Sequence, residues 1–439
     1  MENQNELTQL FLTDAEWKKV WDLIHIQKLS VNLCGKAGTG KSTFLKALAK
    51  FSKKKIIFTA PTGIAALNIR GVTLHSFFGL HFGLLLPNDP RWLNHKLNAR
   101  KIKIIKKMDL LVIDEISMVR ADVFDSVDLI LRKILKNELP FGGKQLLIVG
   151  DNFQLEPVVK PDELEKLSML YQSPYYFSSN VFKKSNFEII ELKTVYRQTE
   201  QYYINLLDKI RTATAALHDL EELNSRLVSK NEIDENQFGI LLSTRNAAAT
   251  AENLLQLAKI KNPQFDFKAK IDGNFSASNY PTDEILSVKK DAQVIMIRND
   301  LNKKWVNGTL GKVIEIFDDE ICILLENNKE VTVSREVWEQ IEYVFDPEKK
   351  TIIEKVIGTF TQFPLKLAWA ITIHKSQGLT FNNVVLNLEG GAFAAGQLYV
   401  ALSRCRTFEG LKLLQTVKIS DIKVKPEVMC FAGLDKYIE

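Results

Sequence analysis

The stretch Gly35-Lys36-Ala37-Gly38-Thr39-Gly40-Lys41-Ser42 decides the fold of this 439-residue chain. It fits the phosphate-binding pattern G-x-x-x-x-G-K-[ST]. An apolar run, Leu29 to Cys34, precedes it, and a helical pattern begins at Thr43. A strand, a glycine-rich loop and a helix in that order surround an anion with backbone N–H groups and a helix N-terminus. The sequence therefore predicts a nucleotide site at the end of a buried strand.

The residue types of this loop predict ATP and Mg²⁺ as cofactors. Lys41 reaches the β- and γ-phosphates, and the Ser42 hydroxyl holds Mg²⁺. The loop residues predicted to bind the nucleotide are Gly38, Thr39, Gly40, Lys41, Ser42 and Thr43.

Composition predicts a soluble globular protein of two or three domains, since 439 residues exceed one ordinary core. The net charge of +5 permits a polyanionic partner without demanding one. Pro90 to Met108 contains no acidic residue. Its basic residues are Arg91, Lys96, Arg100, Lys101, Lys103, Lys106 and Lys107.

Targeting signals are lacking in the sequence. The 4 cysteines form no C-x-x-C pair, which favours a reducing compartment and predicts no zinc or iron–sulfur site. The acidic N-terminal stretch has no apolar run of signal-peptide type. No run approaches the ~18 apolar residues needed to span a membrane. These features predict a cytoplasmic protein without a membrane partner.

Apolar runs alternate with helical patterns in the first part of the chain, among them Ile56–Ala60, Leu110–Ile113 and Gln145–Val149. Continuously apolar strands separated by helices predict an α/β fold with a parallel sheet covered on both faces. A second α/β pattern begins near Phe187. Short strand-like runs separated by turn residues predict a small β-barrel inserted into it at about 286–360.

Several polar residues suit ATP hydrolysis. Asp114 and Glu115 end a hydrophobic strand, where Asp114 would orient Mg²⁺ through water and Glu115 would deprotonate the attacking water; a helix cap is the alternative. Gln154 would sense the γ-phosphate, the alternative being a plain turn. Arg197 and Arg404 would stabilise charge on the transferred phosphoryl group from the second half.

Eight motifs, including the ones that contain these residues, follow one another along the chain. They are the loop quoted above, 60–63, 73–77, 112–118, 150–157, 196–198, 371–380 and 399–404. Together they resemble the helicase motifs of superfamily one, and Asp109 to Asp128 resembles the signature of the PIF-type helicases, relatives of the RecD and Dda helicases. The resemblance covers about residues 10–410, nearly the whole chain.

The resemblance implies two RecA-like P-loop domains with parallel sheets that close on ATP. The first would span 1–185, with a small duplex-splitting wedge inserted at about 79–107. The second would span 186–285 plus 361–439, and the barrel at 286–360 would be SH3-like. The implied activity is an ATP-dependent helicase that moves 5′ to 3′ on single-stranded DNA and unwinds duplex in repair, recombination or replication.

The resemblance also implies site residues in both halves. Gln377 and Gly378 would bind the nucleotide. The residues predicted to contact DNA are Thr62, His75, Phe77, Thr244, Asn246, Lys303, Lys304, Trp305, Thr372, His374 and Lys375. Hydroxyl, amide and imidazole groups would contact phosphates without reading bases. Phe77 and Trp305 would stack on bases, the alternatives being core packing for Phe77 and a barrel lid for Trp305.

Single-stranded DNA and its junctions with duplex are the predicted partners. The protein is predicted to be a monomer in solution and a nucleoid-associated bacterial or phage enzyme. Open alternatives are an ATPase switch that displaces or loads proteins, a motor subunit of a larger nuclease, and RNA as the track. G-quadruplexes, forks and displacement loops stay open as substrates. The segment Leu12 to Trp17 lacks the Gln with which relatives read adenine, so strict preference for ATP is not expected.

Overall fold

A computed structural model describes residues 13–81, 83–86, 97–233, 238–300, 302, 304–346, 348 and 351–434. The strands are β1 (Ser30–Gly35), β2 (Ile56–Ala60), β3 (Val72–Thr73), β4 (Leu110–Ile113), β5 (Gln145–Gly150), β6 (Phe187–Leu192), β7 (Ile240–Ser243), β8 (Gln264–Lys268), β9 (Lys270–Gly273), β10 (Ile285–Lys289), β11 (Gln293–Met296), β12 (Leu310–Ile316), β13 (Glu320–Leu325), β14 (Glu330–Ser334), β15 (Glu336–Asp346), β16 (Thr351–Gln362), β17 (Leu365–Leu367), β18 (Ala370–Thr372), β19 (Val384–Asn387) and β20 (Leu411–Leu413).

The α-helices within the described residues vary from one turn to four. They are α1 (Ala15–His25), α2 (Lys41–Phe51), α3 (Gly63–Asn68), α4 (Leu74–Phe78), α5 (Ala99–Lys107), α6 (Ala121–Leu135), α7 (Pro161–Ser168), α8 (Asn180–Lys184), α9 (Gln201–Arg211), α10 (Leu217–Asn224), α11 (Asn246–Lys259), α12 (Gln397–Leu402) and α13 (Pro426–Phe431). No helix in this described part is both long and apolar enough to cross a membrane.

A six-stranded parallel sheet with the order β3-β2-β4-β5-β1-β6 organises the first half. Alternate residues of its central strands enter two different cores. Val112 and Leu147 pack in one core with Trp17 of α1, whereas Leu111 and Ile148 pack in the other. Burial on both faces explains why these strands are continuously apolar, and it confirms the predicted α/β class.

A four-stranded parallel sheet with the order β18-β7-β19-β20 organises the second half. The predicted boundary between the halves needs a correction at β6. Residues from 186 onward were assigned to the second half, yet β6 pairs with β1 as the edge strand of the first sheet. Its Phe-Glu-Ile-Ile-Glu-Leu pattern predicts a strand but carries no information about which sheet the strand joins.

Antiparallel strands form the insertion. β11 to β14 and β17 form a five-stranded sheet in the order β14-β13-β12-β11-β17. β8 pairs with β10, and β15, β16 and β9 form a separate three-stranded sheet. The strand region therefore extends beyond the predicted 286–360, since β8, β9 and β17 also belong to it. The SH3-like assignment stays a prediction.

Two segments from the second half return to the first. The ribbon formed by β15 and β16 places Tyr343 in the core of the first half. The C-terminal helix α13 places Val428 and Met429 in the same core, and the Phe431 ring stacks on Phe177 with centroids 4.4 Å apart. The sequence predicts that this C-terminal segment belongs to the second half, whereas in the structure α13 packs on the first half. Of the predicted wedge, α5 is described and residues 87–96 lie outside the described residues.

Candidate nucleotide site and DNA surface

The loop between β1 and α2 has the conformation that its glycines predict. Gly38 and Gly40 have positive φ angles of 82° and 83°, in the region that glycine adopts without strain. A Cβ at Gly38 would lie 2.5 Å from the Cβ of Arg197, so a second-half motif touches the loop here. Thr39 is buried, and its Oγ1 donates to the Lys36 carbonyl at 2.9 Å.

Lys41 begins α2, and Ser42 and Thr43 follow on its first turn, where backbone N–H groups have no acceptor within the helix. The Lys41 ammonium donates to the carbonyl oxygens of Gly35 (2.6 Å) and Lys36 (2.8 Å). Burial lowers the pKa of this ammonium, and nearby carboxylates oppose the shift. The site thus combines the Lys41 ammonium, held by two carbonyl oxygens, with the backbone N–H groups of the first turn of α2. This combination suits a polyphosphate.

Asp114 and Glu115 follow β4 as predicted. Glu115 adopts a left-handed backbone conformation with φ 50°, and its N–H donates to Asp114 Oδ1 at 2.9 Å. Burial raises the pKa of both carboxyls, that of Asp114 to about 7 with a further contribution from the Glu115 charge. Lys41, Arg404 and Arg197 oppose the rise at Glu115. Cations from both halves therefore converge on the predicted base.

Gln377 joins the two halves at this point. Its Nε2 donates to Glu115 Oε2 at 3.0 Å and to Gln154 Oε1 at 3.2 Å. Gln154 Nε2 donates in turn to Asp151 Oδ2 at 3.3 Å. One amide from the second half thus contacts both the predicted base and the predicted phosphate sensor.

Arg197 and Arg404 donate to neutral oxygens. Arg197 donates to the carbonyls of Ser403 (3.3 Å) and Gly378 (3.5 Å). Arg404 is 1% exposed and donates to the Val400 carbonyl and the Ser403 hydroxyl. Burial lowers the pKa of Arg197 to about 10 and that of Arg404 to about 9, with the Arg197 charge contributing to the second shift. Two neighbouring cations, Arg404 buried and Arg197 half-buried, favour a bound polyanion.

Ser42 and Asp114 are suitable ligands for Mg²⁺. Ser42 follows β1 and Asp114 follows β4, and both strands flank β5, so both residues lie at the same edge of the sheet. Magnesium prefers such oxygen ligands and keeps water and phosphate oxygens in its remaining positions. In the described part of the chain, no cluster of three His, Cys, Asp or Glu side chains is arranged to hold a metal.

The residues predicted to contact DNA lie at the ends of strands in both sheets. Thr62 follows β2 and caps α3, its Oγ1 accepting from the Ala65 N–H at 3.3 Å. Thr244 follows β7 and Thr372 ends β18, and these two strands are paired. His75 lies on α4 of the first half. Burial lowers its pKa, so the ring is neutral at neutral pH.

Among the other predicted DNA contacts, Asn246, His374 and Lys375 follow the same strand ends. Asn246 begins α11 and is exposed, as are Lys375 and, in the insertion, Lys304. The Lys375 N–H donates to Thr372 Oγ1 at 3.4 Å. Burial lowers the pKa of His374, which is therefore also neutral at neutral pH. Lys303 lies outside the described residues.

The two predicted base-stacking residues require correction. Phe77 is 3% exposed and packs edge-on against Phe78 in the core of the first half. Trp305 is 7% exposed and belongs to the core of the insertion, where its Nε1 donates to the Arg298 carbonyl at 3.1 Å. Because both rings are packed inside, neither presents a face to a base. Val306, among the described residues of this loop, exposes an apolar side chain.

Two site residues were missed by sequence reasoning. The Tyr399 hydroxyl accepts from the Ala37 N–H in the loop after β1, at 2.9 Å. Arg211 of α9 contacts Asp151. Tyr399 lies within a motif already noted, whereas Arg211 lies in an ordinary amphipathic helix pattern. The only available signal for Arg211 was that a carboxylate directly after a buried strand requires a cation or amide partner.

Comparisons with known proteins agree with this geometry. A family model described as PIF1-like helicase matches residues 13–221, and one described as UvrD-like helicase C-terminal domain matches 367–407. The ATP-dependent DNA helicase Pif1 of Campylobacter jejuni is 33% identical over 89% of this chain and 90% of its own length. The chain belongs to the PIF1-like helicase family. Human PIF1 is 32% identical, and the match covers 92% of this chain but 60% of the human protein.

Solved structures of PIF1-like helicases share the whole architecture. A Bacteroides Pif1 in complex with ADP-AlF4 has a TM-score of 0.90 at 39% identity, covering 96% of each chain. The unliganded Bacteroides Pif1 has a TM-score of 0.88. The same relative bound to single-stranded DNA has a TM-score of 0.69 at 39% identity. The match to these structures confirms the two RecA-like halves, and this chain has the arrangement of the first two structures.

Proposed function

We propose that this PIF1-like helicase is an ATP- and Mg²⁺-dependent enzyme that moves 5′ to 3′ along single-stranded DNA and unwinds duplex. The observation that carries the proposal is the junction of the two halves at Gln377, which contacts both Glu115 and Gln154. A nucleotide bound there would contact Lys41 on one side and the arginines 197 and 404 on the other. Relatives named as ATP-dependent DNA helicases support it.

Catalysis would use the residues as they are placed. Ser42 and Asp114 would hold Mg²⁺, which neutralises charge on the β- and γ-phosphates when bound. Glu115 would take a proton from the attacking water, and Arg197 and Arg404 would stabilise the charge that develops. ATP would draw the halves together, and hydrolysis would release them. An unequal grip on DNA in the two states turns closure into a directional step.

Thr62, Thr244 and Thr372 support the proposed DNA path. Thr62 and Thr244 follow the carboxyl ends of strands and Thr372 ends a strand, where open α/β sheets bind their ligands. Thr62 is exposed, whereas Thr244 and Thr372 are buried. Their hydroxyl groups suit phosphate oxygens and carry no base preference, as a translocating enzyme requires. Complexes of the Bacteroides relative with single-stranded DNA support this choice of track.

Two partial duplexes, one with a 5′ single-stranded tail and one with a 3′ tail, test polarity and strand separation. In ATP and Mg²⁺ we expect only the 5′-tailed duplex to open. Lys41→Ala is the control, because loss of its ammonium should abolish turnover while leaving weak DNA binding. Opening of the 3′-tailed duplex alone would contradict the polarity. ATP hydrolysis stimulated by single strands without opening of either duplex would instead favour a switch that displaces proteins.

Finer proposals rest on the sequence and the family resemblance. We propose a monomer in solution, nucleoid association, action on G-quadruplex DNA as well as duplex, and domain limits as predicted except at β6 and at the edges of the insertion. Sedimentation of the free protein and opening of a labelled G-quadruplex with ATP are the corresponding measurements. A stable dimer at micromolar concentration would contradict the first of these.

A further inference from the structure

A buried ion pair links α9 to the loop that follows β5. Nε and Nη2 of Arg211 donate to Asp151 Oδ1 at 3.3 and 3.1 Å, and the two side chains are 8% and 0% exposed. The guanidinium also lies over the Phe153 ring, 4.3 Å from its centroid, and its Nη2 is 3.5 Å from Glu191 Oε1. Burying both charges costs solvation, so their geometry must be well fixed by neighbouring contacts.

The helix that carries Arg211 is anchored in the second half. Its residues Tyr203, Leu206, Leu207 and Ile210 are buried in the core around β7 and β19. One turn before Arg211, the carboxylate of Asp208 accepts from the ammonium of Lys36 in the loop after β1. The same helix therefore makes two charged contacts of opposite sign with the nucleotide site of the first half.

Asp151 transmits this contact to Gln154. While Arg211 occupies Oδ1, Oδ2 accepts from Gln154 Nε2 at 3.3 Å. The Phe153 N–H donates to Oδ1 at 3.2 Å and fixes the carboxylate plane further. With its NH₂ group held there, the Gln154 amide turns its oxygen toward Gln377.

Arg211 also controls the charge near Lys41. The Asp151 carboxylate acts electrostatically on the Lys41 ammonium, and Arg211 acts on it in the opposite direction. Without Arg211, the effect of the Asp151 charge on Lys41 would no longer be offset. Both consequences concern the reacting γ-phosphate and not the base or sugar of the nucleotide.

We propose that Arg211 is a positioning residue that orients Gln154 through Asp151 for hydrolysis of the γ-phosphate. The inference rests on the proposed function, since it assigns Arg211 to the same ATPase reaction. A purely structural role would lower stability and leave the kinetic parameters of the folded protein unchanged. A positioning role lowers kcat while the KM for ATP changes little.

Steady-state ATP hydrolysis with single-stranded DNA tests the inference in Arg211→Gln, Gln154→Ala and the double variant. We expect Arg211→Gln to lower kcat about tenfold or more with KM changed less than about twofold. In the Gln154→Ala background the same change should lower kcat by less than it does in the parent, since the route through Gln154 has been removed. Arg211→Lys should recover part of the lost kcat, because it keeps a cation beside Asp151 but lacks the planar guanidinium that donates two hydrogen bonds.

Arg226→Gln is the matched control. Arg226 also lies near a phenylalanine ring, that of Phe408, but it donates to backbone carbonyls away from the nucleotide site, so kcat should stay unchanged. If Arg211→Gln does not fold, Arg211→Lys carries the same test. If the parent protein is active, either of two results would overturn this inference alone. One is losses of kcat that multiply in the double variant, and the other is an unchanged kcat in Arg211→Gln. A parent without DNA-stimulated hydrolysis would overturn the proposed function as well.

Discussion

At the scale of single residues, Glu115 has an environment that suits its proposed role as a base. Burial raises the pKa of its carboxyl, while Lys41, Arg404 and Arg197 stabilise the ionised form. A base must be ionised to accept a proton, so hydrolysis should be lost as the pH falls through this raised pKa. The acid limb of the pH profile should therefore lie above the range of an ordinary glutamate.

Glu115→Gln is expected to keep ATP binding and to lower the hydrolysis rate about 10²–10⁴-fold, the usual contribution of a general base. The amide preserves the shape and the contact with Gln377 but cannot take the proton. Single-turnover hydrolysis measures the rate of the chemical step. Retention of labelled single-stranded DNA in the presence of ATP reports that the variant still binds ATP. Glu188→Gln, at an exposed carboxylate of β6, is the control. Undiminished hydrolysis in Glu115→Gln would remove Glu115 from the role of base.

Residues that follow a strand end within a motif could be predicted from the sequence. Lys41, Glu115 and Gln154 lie where the strand–loop pattern put them, because a parallel sheet brings the ends of its strands to one edge. Arg211 could not be predicted, since its partner Asp151 is 60 residues away and the pairing depends on how α9 packs. The exposure of Trp305 could not be predicted either. Its neighbours in the sequence are polar, but its ring packs in the core of the insertion and its Nε1 donates to a backbone carbonyl.

At the scale of elements, the helix α13 connects the end of the chain to the first half. Val428 and Met429 are buried there, and the segment before the helix contacts the second half through the Gly396 N–H, which donates to the Lys423 carbonyl at 2.9 Å. Its short amphipathic pattern predicts a helix, but nothing in it identifies the core that it joins. We expect this connection to limit how far the two halves separate in the proposed cycle.

Met429→Ala should lower the free energy of unfolding by about 2–5 kcal/mol, because a side chain that is 4% exposed would leave a cavity. Cys430→Ala is the matched control at the next position, where an exposed thiol should change stability by less than about 0.5 kcal/mol. Urea unfolding followed by tryptophan fluorescence compares the variants. Equal midpoints for Met429→Ala and the parent would show that α13 does not stabilise the first half.

At the scale of the whole molecule, the insertion packs beside part of the proposed DNA path, next to the exposed residue Thr62. A Cβ on Gly63, next to Thr62, would lie 2.4 Å from Asn279 Oδ1, so the turn that carries Asn279 packs on the start of α3. The ribbon of β15 and β16 holds this arrangement, with the Phe345 ring 4.4 Å from Lys103 Nζ and 5.8 Å from Lys107 Nζ. The Thr62 side chain is exposed, and the turn lies beside the path that a DNA strand would take to reach it. The structural agreement is lower with the DNA-bound Bacteroides relative than with the unliganded one.

Phe345→Ala should therefore tighten the binding of single-stranded DNA severalfold. The change removes the cation–π contacts that hold the ribbon, and each such contact contributes about 0.5–1 kcal/mol at an exposed site. A protein whose ribbon spends more time undocked leaves DNA more room beside Thr62 and binds it with a smaller conformational cost. Fluorescence anisotropy with a labelled oligonucleotide, without nucleotide, gives the dissociation constants. Phe317→Ala removes an equally large ring that is 54% exposed in the same insertion and should leave the affinity unchanged. Weaker binding by Phe345→Ala would mean that the docked ribbon helps to form the DNA site instead of obstructing it.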